Sequence, residues 1–414
     1  MLLASFLVLA SLAACQSAAP VEEAKSLVLF QNKVEIDDVL TAYATAWGEA
    51  NGVEVTVKTC GGDTCAYGDQ ILAEFQGERQ PDIFVIEGMG GYEIYKDKIM
   101  AFDGDAWIDN TGLEFVVDGS VYGFPVAVEA WGMAYNADIL TAAGVDIEAL
   151  KDVSQAEYAE VLQKIQDYYD ANGMSDYTVV SMAAGAGMEW VTGLHNFNGY
   201  LSSGLDYNDS SVIDALNAGE VDAARLAAYA DWVELLFKFA DETVLTTGGY
   251  AEQVGAFSTG KAAFLHQGNW TDSSYTDSTF AMGYLPHAAL AEGNDSIFIG
   301  APSYYVVNKD SAMTDVARQF LNDLASTDAG AKYMVEDAHM IPAYNSVTLV
   351  PSTPLSAAVT DWVKADKMYA WWQNNMPSGF GMSTLGPIYS LFAKGEITKA
   401  QFIEQVTAAI ATLK

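Results

Sequence analysis

Residues 26–59 read SLVLFQNKVEIDDVLTAYATAWGEANGVEVTVKT, and residues 70–86 read QILAEFQGERQPDIFVI. Ser26–Phe30 is a short apolar run. Ile36, Val39, Leu40, Tyr43 and Trp47 then recur at helical spacing, and Gly52 ends that segment. Val53, Val55 and Val57 alternate, as a half-buried strand does. Ile71, Leu72 and Phe75 return to helical spacing. Ile83–Ile86 is apolar throughout, which fits a strand covered on both faces. Strand, helix, strand, helix, strand predicts an α/β layer built on parallel pairing.

Outward from this stretch the pattern changes twice. Between about 150 and 260 it is helical. Tyr158, Val161, Leu162, Ile165 and Tyr168 form one stripe, and Leu226, Tyr229, Trp232, Leu235, Leu236 and Phe239 form another. Strand-like runs return at Phe280–Leu285 and Ser303–Val307, and helices at Leu385–Phe392 and Phe402–Leu413. A chain of 414 residues has room for two cores, and this order predicts lobes assembled from discontinuous segments.

Half of the residues are apolar, so the 55 Asp and Glu do not describe a disordered acidic tail. Set against 19 Lys and Arg they give a net charge of −36, which repels phosphate backbones and excludes a nucleic-acid partner. Residues 1–14, MLLASFLVLASLAA, are uncharged and too short to span a bilayer, and small residues lead into Cys15. They predict a signal peptide. Leu12-Ala13-Ala14-Cys15 resembles the bacterial lipobox, which would make Cys15 the lipidated first residue of the mature protein. Residues 15–25 then form a flexible tether. In an exported chain Cys60 and Cys65 meet an oxidising compartment, and two glycines between them permit the tight turn a disulfide needs.

Catalytic and metal signatures are missing. His195, His266, His287 and His339 make no HExxH, and each is expected to be a surface or hydrogen-bonded histidine. No GxSxG, GxxxxGK[ST] or GxGxxG motif occurs, and Asp206–Asn217 lacks the Gly and final Glu of a calcium loop. Neither a metal nor a cofactor is expected, and no residue is assigned as catalytic. Aromatic residues instead sit beside Gly or Glu in several expected turns: Glu129-Ala130-Trp131, Met188-Glu189-Trp190, Gly268-Asn269-Trp270 and Ser378-Gly379-Phe380. A sugar ring presents C–H faces to flat rings and a rim of hydroxyls to carboxylates and amides, so such pairs suit a saccharide cleft. Trp47 and Trp232 fall in helical stripes and are expected in the core. Trp371 and Trp372 are open to either reading.

Taken in order, several segments resemble the extracellular solute-binding proteins of ABC transporters, the oligosaccharide-binding class typified by maltose-binding protein. They are Gln80–Phe84 with Gly90-Gly91-Tyr92, YGFPVAVEAWGMAYN at 122–136, Gly260–Phe264 through Gly268-Asn269-Trp270, residues 317–345, and Gly386-Pro387-Ile388 through Lys394-Gly395-Glu396. The resemblance implies two α/β lobes of the type II periplasmic-binding-protein fold, joined by hinge-crossing segments. Residues 26–128 with 286–343 would form the N-terminal lobe, and 129–285 with 344–414 the C-terminal lobe. It makes Trp270 the stacking platform and Glu129, Glu87 and Glu189 hydroxyl acceptors. Trp190, Trp131 and Phe380 become further platforms, and Gln31 and Lys33 reach the cleft from the first strand. Gly88 replaces a charged residue of the maltose-type members, and GMSTLGP lacks their late tryptophan, which points away from maltose itself. The implied protein is an exported, lipid-anchored monomer that is no enzyme. It would bind a sugar, expected to be an oligosaccharide, and deliver it to the permease subunits of an ABC transporter. Two alternatives stay open: a cationic ligand such as a polyamine in the same fold, and a secreted carbohydrate-active hydrolase using two acids.

Overall fold

The computed structural model describes residues 25–61 and 65–414, so the expected signal peptide, Cys15 and all of the expected tether except Lys25 lie outside the described residues. In chain order the strands are β1 Lys25–Gln31, β2 Val53–Thr59, β3 Ile83–Glu87, β4 Phe115–Val117, β5 Ser120–Pro125 and β6 Glu129–Asn136. They continue with β7 Thr178–Ser181, β8 Ala262–Gly268, β9 Met282–Leu285, β10 Ile297–Gly300, β11 Ser303–Val307 and β12 Met368–Tyr369. Two mixed six-stranded sheets result. The first runs β2-β1-β3-β11-β5-β4. The second runs β12-β10-β6-β8-β7, with β9 added beside β6.

Sequence patterning explains the first sheet. β1 pairs in parallel with both β2 and β3, joined through helices α1 (Asp37–Asn51) and α2 (Tyr67–Gln76). Leu27, Leu29, Ile83 and Val85 enter one core, while Phe30, Phe84 and Ile86 enter another on the opposite face. Both faces are covered, which is why SLVLF and IFVI are apolar without alternation. α1 ends at Gly52 with φ 67°, a left-handed cap that a residue with a Cβ adopts at a cost.

The second core is helical, as the stripes predict. Tyr158, Leu162 and Ile165 from helix Gln155–Asn172 pack with Leu226, Tyr229, Trp232 and Leu236. That helix begins in a capping box: Ser154 Oγ accepts from the Glu157 N–H, and Glu157 returns a carboxylate to the Ser154 N–H at 3.0 Å.

Three short segments pass between the sheets: 126–128 from β5 to β6, 301–302 from β10 to β11, and the stretch after Met340, which bridges to the first crossing through Ile341 and Val128. β10 lies in the second sheet, paired with β6 and β12, so the chain returns to the first sheet between Gly300 and Ser303 rather than near 286. Cys60 and Cys65 are joined in a disulfide, with Cα atoms 5.3 Å apart. Among the described residues no helix is long and apolar enough to cross a membrane.

Candidate ligand cleft between the lobes

The parallel strands β1 and β3 end side by side at Gln31 and Glu87, facing the gap between the sheets, where open α/β sheets place their ligands. Gln31 is fully buried. Its side chain braces the turn by donating to Thr59 Oγ1 (2.6 Å) and the Lys33 carbonyl (2.9 Å), so it holds the cleft loop and presents no free group to a ligand. Asn32 donates to Glu87 Oε1 at 2.8 Å, and Glu87 stays exposed at the lip.

Lys33 crosses the gap. Its ammonium bonds Glu129 at the start of β6 and lies 2.8 Å from Glu35 Oε1. The three side chains are only 11%, 10% and 20% exposed, respectively. Burial alone would lower the Lys33 pKa, but the two carboxylates outweigh it and hold the ammonium charged, above the usual lysine range. One cation therefore serves two anions and ties the first lobe to the first residue of the second-lobe strand.

The opposite wall is aromatic. β8 ends at Gly268, and Asn269 is fixed by accepting from the Ala130 N–H (2.8 Å) and donating to Ser356 Oγ (3.1 Å). Trp270 then folds back over the chain. A Cβ on Gly268 would lie 2.0 Å from the indole ring, so the Gly-x-Trp spacing is a steric requirement of this wall. Trp270 is half-buried, donates to Gln267 Oε1 (3.0 Å), and has the rings of His195, Trp371 and Trp190 at 5.0, 6.3 and 6.4 Å. The Gln373 amide, assigned with its oxygen toward them, accepts from Trp371 Nε1 (2.7 Å) and His195 Nε2 (3.3 Å).

Beneath this wall Trp131 is completely buried. It stacks on Phe298 at 4.1 Å and has His287 and His266 at 4.8 and 5.3 Å, so neither of its faces is free for a ligand. His287 Nδ1 accepts from Trp232 Nε1 at 3.0 Å. Burial pushes the His266 pKa down to about 3, and burial likewise holds His287 and His195 well below their ordinary range. Three histidines expected at the surface or in ordinary hydrogen bonds thus form a neutral supporting layer. Nothing in their sequence spacing could have grouped them.

Other expected residues are placed differently. Phe380 is packed in the second core and does not reach the cleft. Glu189 is half-buried and accepts from the Gly187 N–H at 2.9 Å. Asp272, which spacing did not single out, borders the cleft but spends both oxygens on the Leu355 and Ser356 N–H groups (2.9 and 2.8 Å), capping helix Pro354–Lys364. His339 also lines the cavity, with φ 55°, an uncommon conformation for a residue with a side chain. Lys33, Glu129, Trp270 and His339 border one cavity of about 40 Å³, smaller than the roughly 300–1,000 Å³ of small-molecule sites. Among the described residues no cluster of three or more His, Cys, Asp or Glu is placed to hold a metal.

A family model for bacterial extracellular solute-binding proteins matches residues 32–331. The maltodextrin-binding protein MdxE of Bacillus subtilis is 26% identical over 233 residues, which is 56% of this chain and 52% of that protein. The match therefore spans about half of that relative's length. A maltooligosaccharide ABC transporter solute-binding lipoprotein of Streptococcus pneumoniae is 24% identical, covering 78% of this chain and 73% of the relative. In structure, RafE of Streptococcus pneumoniae, solved in complex with raffinose, superposes with a TM-score of 0.77 at 15% identity, over 94% of this chain and 99% of that one.

Proposed function

This chain belongs to the bacterial extracellular solute-binding protein family, and from that premise we propose that it is the substrate-binding subunit of an ABC importer. It captures a sugar, an oligosaccharide, in the cleft and presents the closed form to the membrane permease. The observation that carries this reading is the pairing of the Trp270 ring, laid over Gly268, with the Lys33–Glu129–Glu35 group across the gap. The ring covers the apolar face of a pyranose, while the carboxylates and ammonium serve its hydroxyls. Ligand contacts from both walls exist together only when the lobes are closed, so binding shifts the population toward that state.

We place the first lobe at 25–127 with 302–347 and the second at 128–301 with 348–414, following the sheets and their cores. Cys15 is the expected lipid anchor of an exported monomer, and the names of the pneumococcal relatives support that reading. Sugar is favoured over a polyamine because Lys33 already sits between the two carboxylates that would attract a second cation.

A thermal-shift screen with mono- and oligosaccharides, amino acids and polyamines tests the assignment. A ligand at roughly a hundredfold excess over Kd stabilises by about 2.7 kcal/mol. Melting raised by a polyamine and by no saccharide overturns it.

A further inference from the structure

Resting on the carbohydrate reading above, we propose that the cleft has one closed end, so that it grips an oligosaccharide by a terminus and the rest of the chain leaves on one side only. The wall is a contact between the lobes. Gly88, which follows β3 in the first lobe with φ 55°, is buried against Asn374 of the second. A Cβ at Gly88 would stand 2.6 Å from Asn374 Cβ and 2.7 Å from its carbonyl oxygen. Two residues on, a Cβ at Gly90 would lie 3.2 Å from the Met376 carbonyl oxygen and 3.6 Å from Ser378 Cα. The missing side chains form a notch that the second lobe fills with its own backbone.

That backbone is held to the second lobe and to the hinge. The Gln373 N–H donates to Asn198 Oδ1 (3.0 Å), Asn217 donates to the Asn375 carbonyl (3.0 Å), and Asn374 Nδ2 donates to the Pro302 carbonyl (2.9 Å). The contact adjoins the cleft, because Glu87 of the lip precedes Gly88 and Trp371 of the aromatic wall precedes the 372–375 turn. It also lies at one end. The crossing segments stand in the row 341, 126–128, 301–302, and Asn374 binds the last of them. His339 and Met340, beside the first, line the cavity, with exposed Ser273 and Asp337 at its mouth. A chain running through the cleft would have to pass between Gly88 and Asn374, where there is no room for a methyl group.

The wall is tested without ligand by Gly90→Cys with Ser378→Cys under mild oxidation. Intramolecular crosslinking of most molecules, read by mass spectrometry, is expected, and crosslinking below about a tenth overturns the wall. End-on binding is tested by calorimetry with maltohexaose and its six-unit ring, which has no terminus. The linear sugar is expected to bind at least about fiftyfold more tightly, and equal affinities overturn the proposal. Gly88→Asn tolerates the positive φ but forces this end apart, so it is expected to cut that discrimination below about tenfold. Unchanged discrimination in a folded Gly88→Asn protein also counts against the wall. Efficient crosslinking in a protein that answers to no saccharide supports the wall and retires the carbohydrate reading.

Discussion

The first-lobe wall of the cleft carries Asn32, Lys33, Glu35 and Glu87, whereas the second-lobe wall carries Trp190, His195 and Trp270 over buried Trp131, His266 and His287. The polar wall is organised by pairwise bonds, each between groups from different elements: Asn32 with Glu87, and Lys33 with Glu129. The aromatic wall is organised by stacking, and its order comes from close packing in a layer with no charged side chain. Loss of one member should therefore act differently on the two sides. In the polar wall it strands a charge and lowers stability. In the aromatic wall it removes ligand-facing surface and some packing but strands no charge, so the cost in stability is smaller.

The largest effect is expected at Lys33. Lys33→Met leaves Glu35 and Glu129 facing each other almost out of solvent, and breaking a buried ion pair on one side costs about 3–5 kcal/mol. Urea unfolding measures it. A loss under about 1 kcal/mol shows that the polar wall is solvated, and the contrast between the walls then collapses.

Trp270 gives the complementary result. Trp270→Ala should weaken the best-binding saccharide at least a hundredfold, or about 2.7 kcal/mol, with little change in the melting temperature of the ligand-free protein. Binding that survives with less than a fivefold loss moves the platform elsewhere on the aromatic wall.

What the sequence made legible follows the range of the interactions. Strands β1, β3 and β11 and the two helical stripes were readable because periodicity and burial act over a few residues. β11 begins and ends at Ser303 and Val307, as expected. The crossing of β10 to the second sheet was not readable, since IFIG is equally apolar in either sheet. Within the cleft, Trp270 was visible because a Gly-x-Trp turn carries it, and Lys33 because it follows the first strand in the family resemblance. Trp131 and Phe380 had the same local look, an aromatic beside Gly or Glu. Only the tertiary packing of Phe298 and of the second core buries them. The histidine layer draws His195, His266 and His287 from three separate segments, a long-range arrangement with no local signature.

That layer makes the aromatic wall sensitive to acid. The His266 pKa is pushed down to about 3 and those of His287 and His195 are also lowered, whereas in the unfolded chain all three sit near 6.5. The unfolded state therefore binds more protons below about pH 6.5, and stability falls as pH falls, by up to about 1.4 kcal/mol per unit for each histidine. For His266 the fall continues to about pH 3. Urea unfolding at about pH 7 and pH 5.5 reads the net drop. Comparison with a histidine variant separates the histidine contribution from that of the carboxylates Glu87, Glu129 and Asp272, whose raised pKa values act in the opposite direction. His266→Gln should remove about a third of the drop, and no drop in the parent protein would mean that the layer is not held neutral.

The smallest effect is expected at Glu189, and it sharpens the contrast most. By sequence this residue pairs an acid with Trp190 and belongs among the hydroxyl acceptors. In the structure one of its oxygens is committed to the Gly187 N–H, and its Cβ is pressed toward Gly386, where an added Cβ would lie 2.5 Å away. A carboxylate spent on a turn is a poor acceptor for a ligand, and Gln keeps an oxygen that can hold the same N–H. Glu189→Gln should thus change saccharide affinity by less than about threefold. A loss above about tenfold in a variant of unchanged stability would place a working acid among the aromatic residues of the second lobe, in addition to Glu129, and the division into a charged wall and an aromatic one would have to be redrawn.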